Sequence, residues 1–407
     1  MIKDAEEKGL LKKGATIIEA TAGNTGIGLA LVGSLMGYKT LLVVPDKMSK
    51  EKVAFLLALG AKVILTRSDV EKGHPDYYQD RALGISKEMP NSFYVDQFNN
   101  PANPLAHYQT TGPEILEQMN NNVDAVVLGV GSGGTMAGLT RFFKEKSPKT
   151  EIVLADPVGS ILTEYVLTKN VSKDVGSWLV EGIGEDFIPS IADFSITKSA
   201  YSISDEESFE TARKLLRTNG ILGGSSTGTL IAATLKFCKD QKQKKRIVTF
   251  VCDDGSKYLS KMYNDFWMRE QGYLAKPVFN DLRDLVSRSY ADNSIIIAKP
   301  NETLISVYKR MKSYEVSQIP VIENDKIVGI IDETDLLINL HKNKNALKEQ
   351  VGSFMTKDLK TLEIAASINE VIKLLENDYT VIVKEQDKFY GLITKIDLID
   401  YLRRTKL

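Results

Sequence analysis

"TIIEATAGNTGIGLALVGSLMG" (residues 16–37) decides the fold. A β-branched run is followed by a loop of small residues, then by an apolar helical stretch that closes on Gly37. Strand, tight loop and helix in that order make a βα unit. Working outward, the rhythm recurs. Candidate strands are "KTLLVV", "KVILT", "SFYV", "AVVLGV", "EIVLA" and "RIVTFVCDD". Between them lie amphipathic stretches such as "EKVAFLLALG", which also ends near a glycine, as helix C-termini often do. Several strands are nearly continuous apolar runs, the pattern of strands covered on both faces in a parallel sheet. Residues 15 to about 272 are therefore expected to form an open α/β fold with a parallel sheet.

After Gly272 the rhythm changes. "TLISVYKRM" (from Thr303) matches "SINEVIKLL" (from Ser367) in apolar spacing, and "IPVIENDKIVGIIDETDLL" matches "VIVKEQDKFYGLITKIDLI". Gly329 answers Gly391, and Asp335 answers Asp397. The unit is a helix, two strands joined by a polar turn, and another helix. Two copies make a paired module, since a solenoid needs three or more. The expected division is a core at 1–272, a linker at 273–292, and two repeats at 293–349 and 350–407.

Bulk composition excludes several classes. The 407 residues carry a formal net charge of −1, which gives no electrostatic reason to expect nucleic acid or a membrane surface as partner. No run approaches the ~18 apolar residues of a membrane span. The first residues are charged, unlike a signal peptide. Cys238 and Cys252 are too few for a disulfide framework or a thiolate metal site; both are expected in buried core, and a reducing cytoplasm is the expected compartment. His74, His107 and His341 are far apart and read as structural or surface residues, with no metal site among them.

Three small-residue clusters stand where strands hand over to helices: "TAGNTG" (21–26), "GVGSGGT" (129–135) and "GGSSTG" (223–228). In α/β proteins that edge binds ligands, and helix N-termini there offer free N–H groups to anions. "GVGSGGT" satisfies G-x-G-x-x-G through Gly129, Gly131 and Gly134, with Asp156 at the end of the next strand, so a dinucleotide reading stands. Against it, this motif is fifth in the strand series, and its crowded N–H donors plus a hydroxyl suit a single phosphate monoester. In "TAGNTG", Asn24 offers in-plane hydrogen bonds, while Thr21, Thr25 and local amides could hold a carboxylate. "GGSSTG" read alone is a serine-capped helix start.

Taken together, "IIEATAGNTGIGLAL", "DQFNNPANPLAHYQTTGPEI", "GVGSGGTMAG", "VEGIGEDFIP" and "GGSSTG" resemble, in order, the fold-type II pyridoxal-phosphate enzymes, and among them the cystathionine β-synthases. The tail "VSQIPVIENDKIVGIIDETDLL" and the last 60 or so residues each resemble a CBS domain. The resemblance implies an open parallel-sheet core followed by a tandem CBS module of βαββα repeats. It implies pyridoxal 5′-phosphate as cofactor, with Asn24 on the ring hydroxyl oxygen, Gly131, Ser132, Gly133, Gly134 and Thr135 cradling the phosphate, and Ser225 facing the pyridine nitrogen. Thr21, Ala22, Gly23, Thr25 and Gln97 would hold the amino-acid carboxylate, and Gly182, in a segment running to Asp186, would lie near the second substrate. Ala22 stands where the family often has serine, which leaves serine and O-acylated serine both open as first substrate.

The family's chemistry needs a lysine that anchors the cofactor and takes the α-proton. That lysine lies upstream of the asparagine loop, at the start of the helix whose tail resembles "MIKDAEEKG", and no residue here matches it; Lys3, Lys8, Lys12 and Lys13 read as solvated charges. The sequence is thus expected to be part of a longer enzyme, or else to be a nucleotide-binding pseudoenzyme. The implied reaction joins serine, or an activated serine, to homocysteine; cysteine synthase, with sulfide as nucleophile, is the alternative. The CBS pair implies an adenosyl ligand, with Asp335, Thr394 and Asp397 at its clefts. Asp332 replaces the threonine of the first repeat, so a ligand without phosphates is expected there, or none. A homodimer or homotetramer is the expected assembly.

Overall fold

The computed structural model describes residues 1–407 except 22, 172–174, 276, 293 and 407, and except the side chains of 405 and 406. The chain forms two compact units, Met1–Met268 and Arg269–Leu407.

The first unit begins with α1 (Ile2–Glu7), β1 (Thr16–Ala20), α2 (Asn24–Leu35), β2 (Lys39–Pro45), α3 (Lys50–Ala58), β3 (Lys62–Thr66), α4 (Tyr78–Glu88) and β4 (Ser92–Tyr94). Its four strands make a parallel sheet in the order β3-β2-β1-β4, with Ile18 opposite Leu41. The apolar runs are continuous because each face of the sheet is covered by helix. Leu42 and Val44 point into a cluster with Ala30 of α2 and Leu56 of α3. Leu41 and Val43, one residue out of phase, meet Ala82 of α4 on the opposite face.

Next come α5 (Ala102–Ala106), a π-helical turn at His107–Thr111, α6 (Gly112–Gln118), β5 (Ala125–Leu128), α7 (Gly134–Lys146), β6 (Glu151–Pro157), α8 (Leu162–Thr168), β7 (Thr197–Ile203), α9 (Asp205–Asn219), α10 (Ser225–Asp240), β8 (Ile247–Val248) and α11 (Asp265–Glu270). A second parallel sheet runs β7-β6-β5-β8. Its core packs Val126, Leu128, Ile152 and Leu154 against Met136, Leu139 and Phe143 of α7.

The α/β reading with parallel sheets holds, with two corrections at the second sheet. "TKSAYSI" forms β7, an edge strand whose central positions are only half covered, so it lacks the apolar signature of the inner strands. "RIVTFVCDD" pairs only through Ile247 and Val248 before the chain leaves the sheet. That departure also corrects the cysteines: Cys252 is exposed on the departing segment, and Cys238 is exposed on α10.

The second unit holds the two repeats. In the first, α12 (Leu304–Tyr314) precedes the antiparallel pair β9 (Gln318–Glu323) and β10 (Lys326–Asp332), then α13 (Glu333–Lys342). In the second, β11 (Thr361–Glu363) and α14 (Ile368–Glu376) precede β12 (Val381–Glu385), β13 (Lys388–Ile393) and α15 (Lys395–Lys406). Both hairpins turn through two residues at positive φ, Asn324-Asp325 and Gln386-Asp387, as two-residue hairpin loops require. Each repeat has its own core, and Ile322, Ile382 and Phe389 pack between them. Leu282, Leu285 and Val286, in the stretch read as linker, are buried in the second repeat's core. No described helix is long and apolar enough to cross a membrane.

Candidate active site

The loops that follow β1 and β5 meet the segment 178–186 around a cavity of about 430 Å³. Thr21, Gly23, Asn24, Thr25, Gln97, Gly131, Ser132, Gly133, Gly134, Thr135 and Gly182 all line it. Ala22 lies outside the described residues. Ser225 stands behind the wall: it is 1 % exposed, and its Oγ accepts the Glu181 N–H at 3.0 Å. Ser226 is the serine of that cluster that lines the cavity.

The glycine loop is a cradle that nothing larger than glycine fits. A Cβ on Gly134 would fall 2.0 Å from Asn103 Oδ1, and one on Gly131 would fall 2.6 Å from the Gly182 carbonyl oxygen. Gly133, at φ +89°, turns the chain into α7, whose first N–H groups are left open to an anion. Asn103, which the sequence reading did not single out, and His107, read there as a structural or surface residue, brace the cradle. Asn103 Nδ2 donates to Ser132 Oγ at 3.0 Å and to the Gln97 carbonyl at 2.9 Å. His107 Nε2 lies 3.2 Å from Thr135 Oγ1, while its Nδ1 lies 3.0 Å from Thr111 Oγ1 across the π-helical turn. Burial holds the His107 pKa below its ordinary value, which favours the neutral ring. The donor set and the tightness of the loop fit a phosphate monoester.

Gln97 is held from three sides. Its Oε1 accepts the Thr25 hydroxyl at 2.8 Å, its Nε2 donates to the Ala20 carbonyl at 3.1 Å, and its N–H donates to Glu19 Oε2 at 3.0 Å. Glu19 is fully buried, and burial pushes its carboxyl up to about 8 despite the two backbone N–H groups that favour the charged form.

Beneath the asparagine loop, Lys52 of α3 is buried at 3 % exposure. Its Nζ donates to Glu181 Oε2 at 2.9 Å and to Tyr258 OH at 2.7 Å. Lys261 Nζ donates to Glu181 Oε1 at 2.7 Å, and Glu51 Oε1 and Oε2 accept Ser260 N–H and Oγ–H at 2.8 Å each. The buried ammonium is therefore paired and hydrogen-bonded, as a buried charge must be. No local pattern announces such partners, since Lys52 and Glu181 are 129 positions apart.

Asp156 does not line the cavity. Its Oδ2 accepts the N–H and hydroxyl of Thr163 at the start of α8, at 2.9 and 3.1 Å. The acid of the dinucleotide fingerprint thus closes a helix start. In the second unit, Asp335 and Asp332 form a reciprocal capping box on α13, so the additional carboxylate of the first repeat is already engaged. In the second repeat Asp397 Oδ2 accepts the Thr394 N–H at 2.8 Å and its hydroxyl at 2.5 Å, while Oδ1 accepts Ser287 Oγ–H at 2.5 Å.

Comparison with known proteins agrees with this geometry. Residues 1–253 match the family of pyridoxal-phosphate dependent enzymes, and residues 283–342 and 351–404 each match the CBS domain. The chain is 36 % identical over 414 residues to a cystathionine beta-synthase of Apis mellifera, covering 99 % of this chain and 81 % of that protein. It is 40 % identical over 263 residues to cysteine synthase A of Salmonella typhi, covering 64 % of this chain and 80 % of that protein. The crystal structure of an O-acetylserine dependent cystathionine beta-synthase from Helicobacter pylori superposes with a TM-score of 0.59 at 38 % identity, covering 64 % of this chain and 81 % of that one. The dinucleotide reading of the glycine loop falls with these matches, and pyridoxal phosphate is the cofactor that they imply. Cavity, cradle and repeats together make this chain a member of the cystathionine beta-synthase family of pyridoxal-phosphate dependent enzymes, with two CBS domains following its core.

Proposed function

We propose that this chain carries the binding core of an enzyme that joins serine, or an O-acylated serine, to homocysteine by β-replacement, giving cystathionine, none of its residues being matched to the lysine that takes the α-proton. The observation that carries the reading is one cavity bringing together a phosphate cradle, an amino-acid carboxylate loop and an acidic third wall. Bound pyridoxal phosphate supplies the electron sink that makes the α-proton and the β-substituent labile. The chain's own residues hold and orient. The 131–135 loop and the start of α7 take the phosphate, with Asn103 and His107 fixing the hydroxyls of Ser132 and Thr135. Asn24 addresses the ring hydroxyl oxygen, and the pyridine nitrogen falls to the neutral hydroxyls of the 223–228 cluster, Ser226 on the cavity wall and Ser225 behind it. Thr21, Gly23, Thr25 and Gln97, with Ala22, receive the carboxylate of the first substrate.

The CBS pair takes an adenosyl ligand at clefts edged by Asp335, Thr394 and Asp397, and the protein works as a cytoplasmic homodimer or homotetramer. Incubation of the pyridoxal-phosphate-loaded enzyme with serine or O-acetylserine plus homocysteine, read by mass spectrometry, should yield cystathionine. Cysteine formed from sulfide, with no cystathionine from homocysteine, would identify a cysteine synthase instead.

A further inference from the structure

The start of α7 lies against the π-helical turn at His107–Thr111 more closely than any residue but glycine allows. A Cβ on Gly138 would fall 2.6 Å from His107 Cβ and 2.5 Å from the Pro104 carbonyl oxygen. That contact holds the imidazole between two hydroxyls, Thr111 Oγ1 at 3.0 Å from Nδ1 and Thr135 Oγ1 at 3.2 Å from Nε2. Single π-turns of this kind concentrate at functional sites. A neutral imidazole has one proton, so one nitrogen donates and the other accepts. The hydroxyls decide which. Among the described residues Thr111 Oγ1 has no hydrogen-bond partner but Nδ1, so its proton goes to that nitrogen and the ring proton stays on Nε2. Thr135 Oγ1 then accepts from Nε2–H, and its own proton is left to point into the cavity that Thr135 lines.

We propose that the relay Thr111–His107–Thr135 presets the hydroxyl of the cradle as a donor, with His107 the positioning residue that turns the Thr135 proton toward a phosphate ester. This rests on the cradle's place in the reading above, whichever nucleophile follows. An ester dianion has lone pairs and no proton to give, so a hydroxyl turned the other way would meet it with a lone pair of its own. Burial, which keeps the ring neutral, preserves the bare Nδ1 that the relay needs.

The tautomer can be read in the empty protein. The chain has three histidines, so in the full chain labelled with 15N-histidine the ring signal that vanishes in His107→Gln belongs to His107. Long-range proton–nitrogen correlation should show it protonated on Nε2 alone, and Thr111→Val should let the Nδ1–H form appear. Trp178, which lines the cavity, reports binding of pyridoxine 5′-phosphate and of pyridoxine, neither of which carries an aldehyde to react with surface lysines. The wild type should prefer the ester. His107→Asn, too short to reach Thr135, should cut that preference by about tenfold or more, the loss of a hydrogen bond to a charged group, with pyridoxine binding unmoved. His107→Gln, whose amide N–H reaches as far as Nε2, should restore most of it. A ring protonated on Nδ1 in the wild type, or a wild-type preference in His107→Asn, would overturn the relay and leave the cofactor reading intact. A wild type with no preference for the ester would overturn both.

Discussion

Gly134 shows how much of this site rests on an absent atom. A methyl group there would enter the space of the Asn103 amide, 2.0 Å from its oxygen, and that amide holds both Ser132 and the chain at Gln97. Gly134→Ala should therefore weaken pyridoxal phosphate binding by at least about tenfold, since one or more phosphate hydrogen bonds are lost. Visible absorbance during cofactor titration measures it. Glu19 makes a different kind of prediction. Its native carboxyl holds a proton up to about pH 8, whereas the unfolded chain releases it near the ordinary glutamate value of 4.5. Over that window the native state binds more protons, so this group's contribution to stability declines as pH rises from 4.5 to 8, then levels off. Urea midpoints taken across the window should show a shallower decline in Glu19→Gln. Of these residues, the glycines could be read from sequence because the loop's composition states its geometry. Asn103, His107 and Glu19 could not, because their roles depend on partners that only the fold brings near.

Elements were legible in proportion to their burial. β2 and β5 announce themselves through the apolar runs LLVV and AVVL because helices cover both faces. β7 escapes detection because an edge strand with a half-exposed middle needs no such run. The repeats were legible for another reason, as two copies of one spacing. Least legible were the ties between elements, of which α3 carries the clearest case. Glu51 and Lys52, neighbours in the first turn of that helix, reach Ser260, Tyr258 and Glu181, fastening the first sheet's helix to the loops beside the second sheet. Lys52→Met keeps the bulk but leaves Glu181 short of a partner and Asp253, 3.9 Å from the ammonium, without its nearest cation. Breaking a buried pair in this way should cost about 3 kcal/mol or more, read from urea unfolding.

At the scale of the whole molecule, the chain is two compact units with separate cores, and only the first contains the cradle. Calorimetry of the full chain should resolve two transitions, with pyridoxal phosphate raising one of them. At a hundredfold excess over its dissociation constant, a ligand adds about 2.7 kcal/mol to the unit that binds it. A single transition shifted as a block would show instead that the units unfold together.

Cys252 gives the cavity a chemical handle. The residue is exposed at the cavity wall with its sulfur packed among neighbouring groups, whereas Cys238 is exposed on the surface of α10. The walls around Cys252 shield it from water and push its thiol up to about 11, so alkylation there should run slower than at Cys238 and quicken in alkaline buffer. Maleimide labelling counted by intact mass should give two adducts in the empty protein and one when the pocket is filled. A probe that forms no part of the reaction would then report occupancy, molecule by molecule, without any turnover.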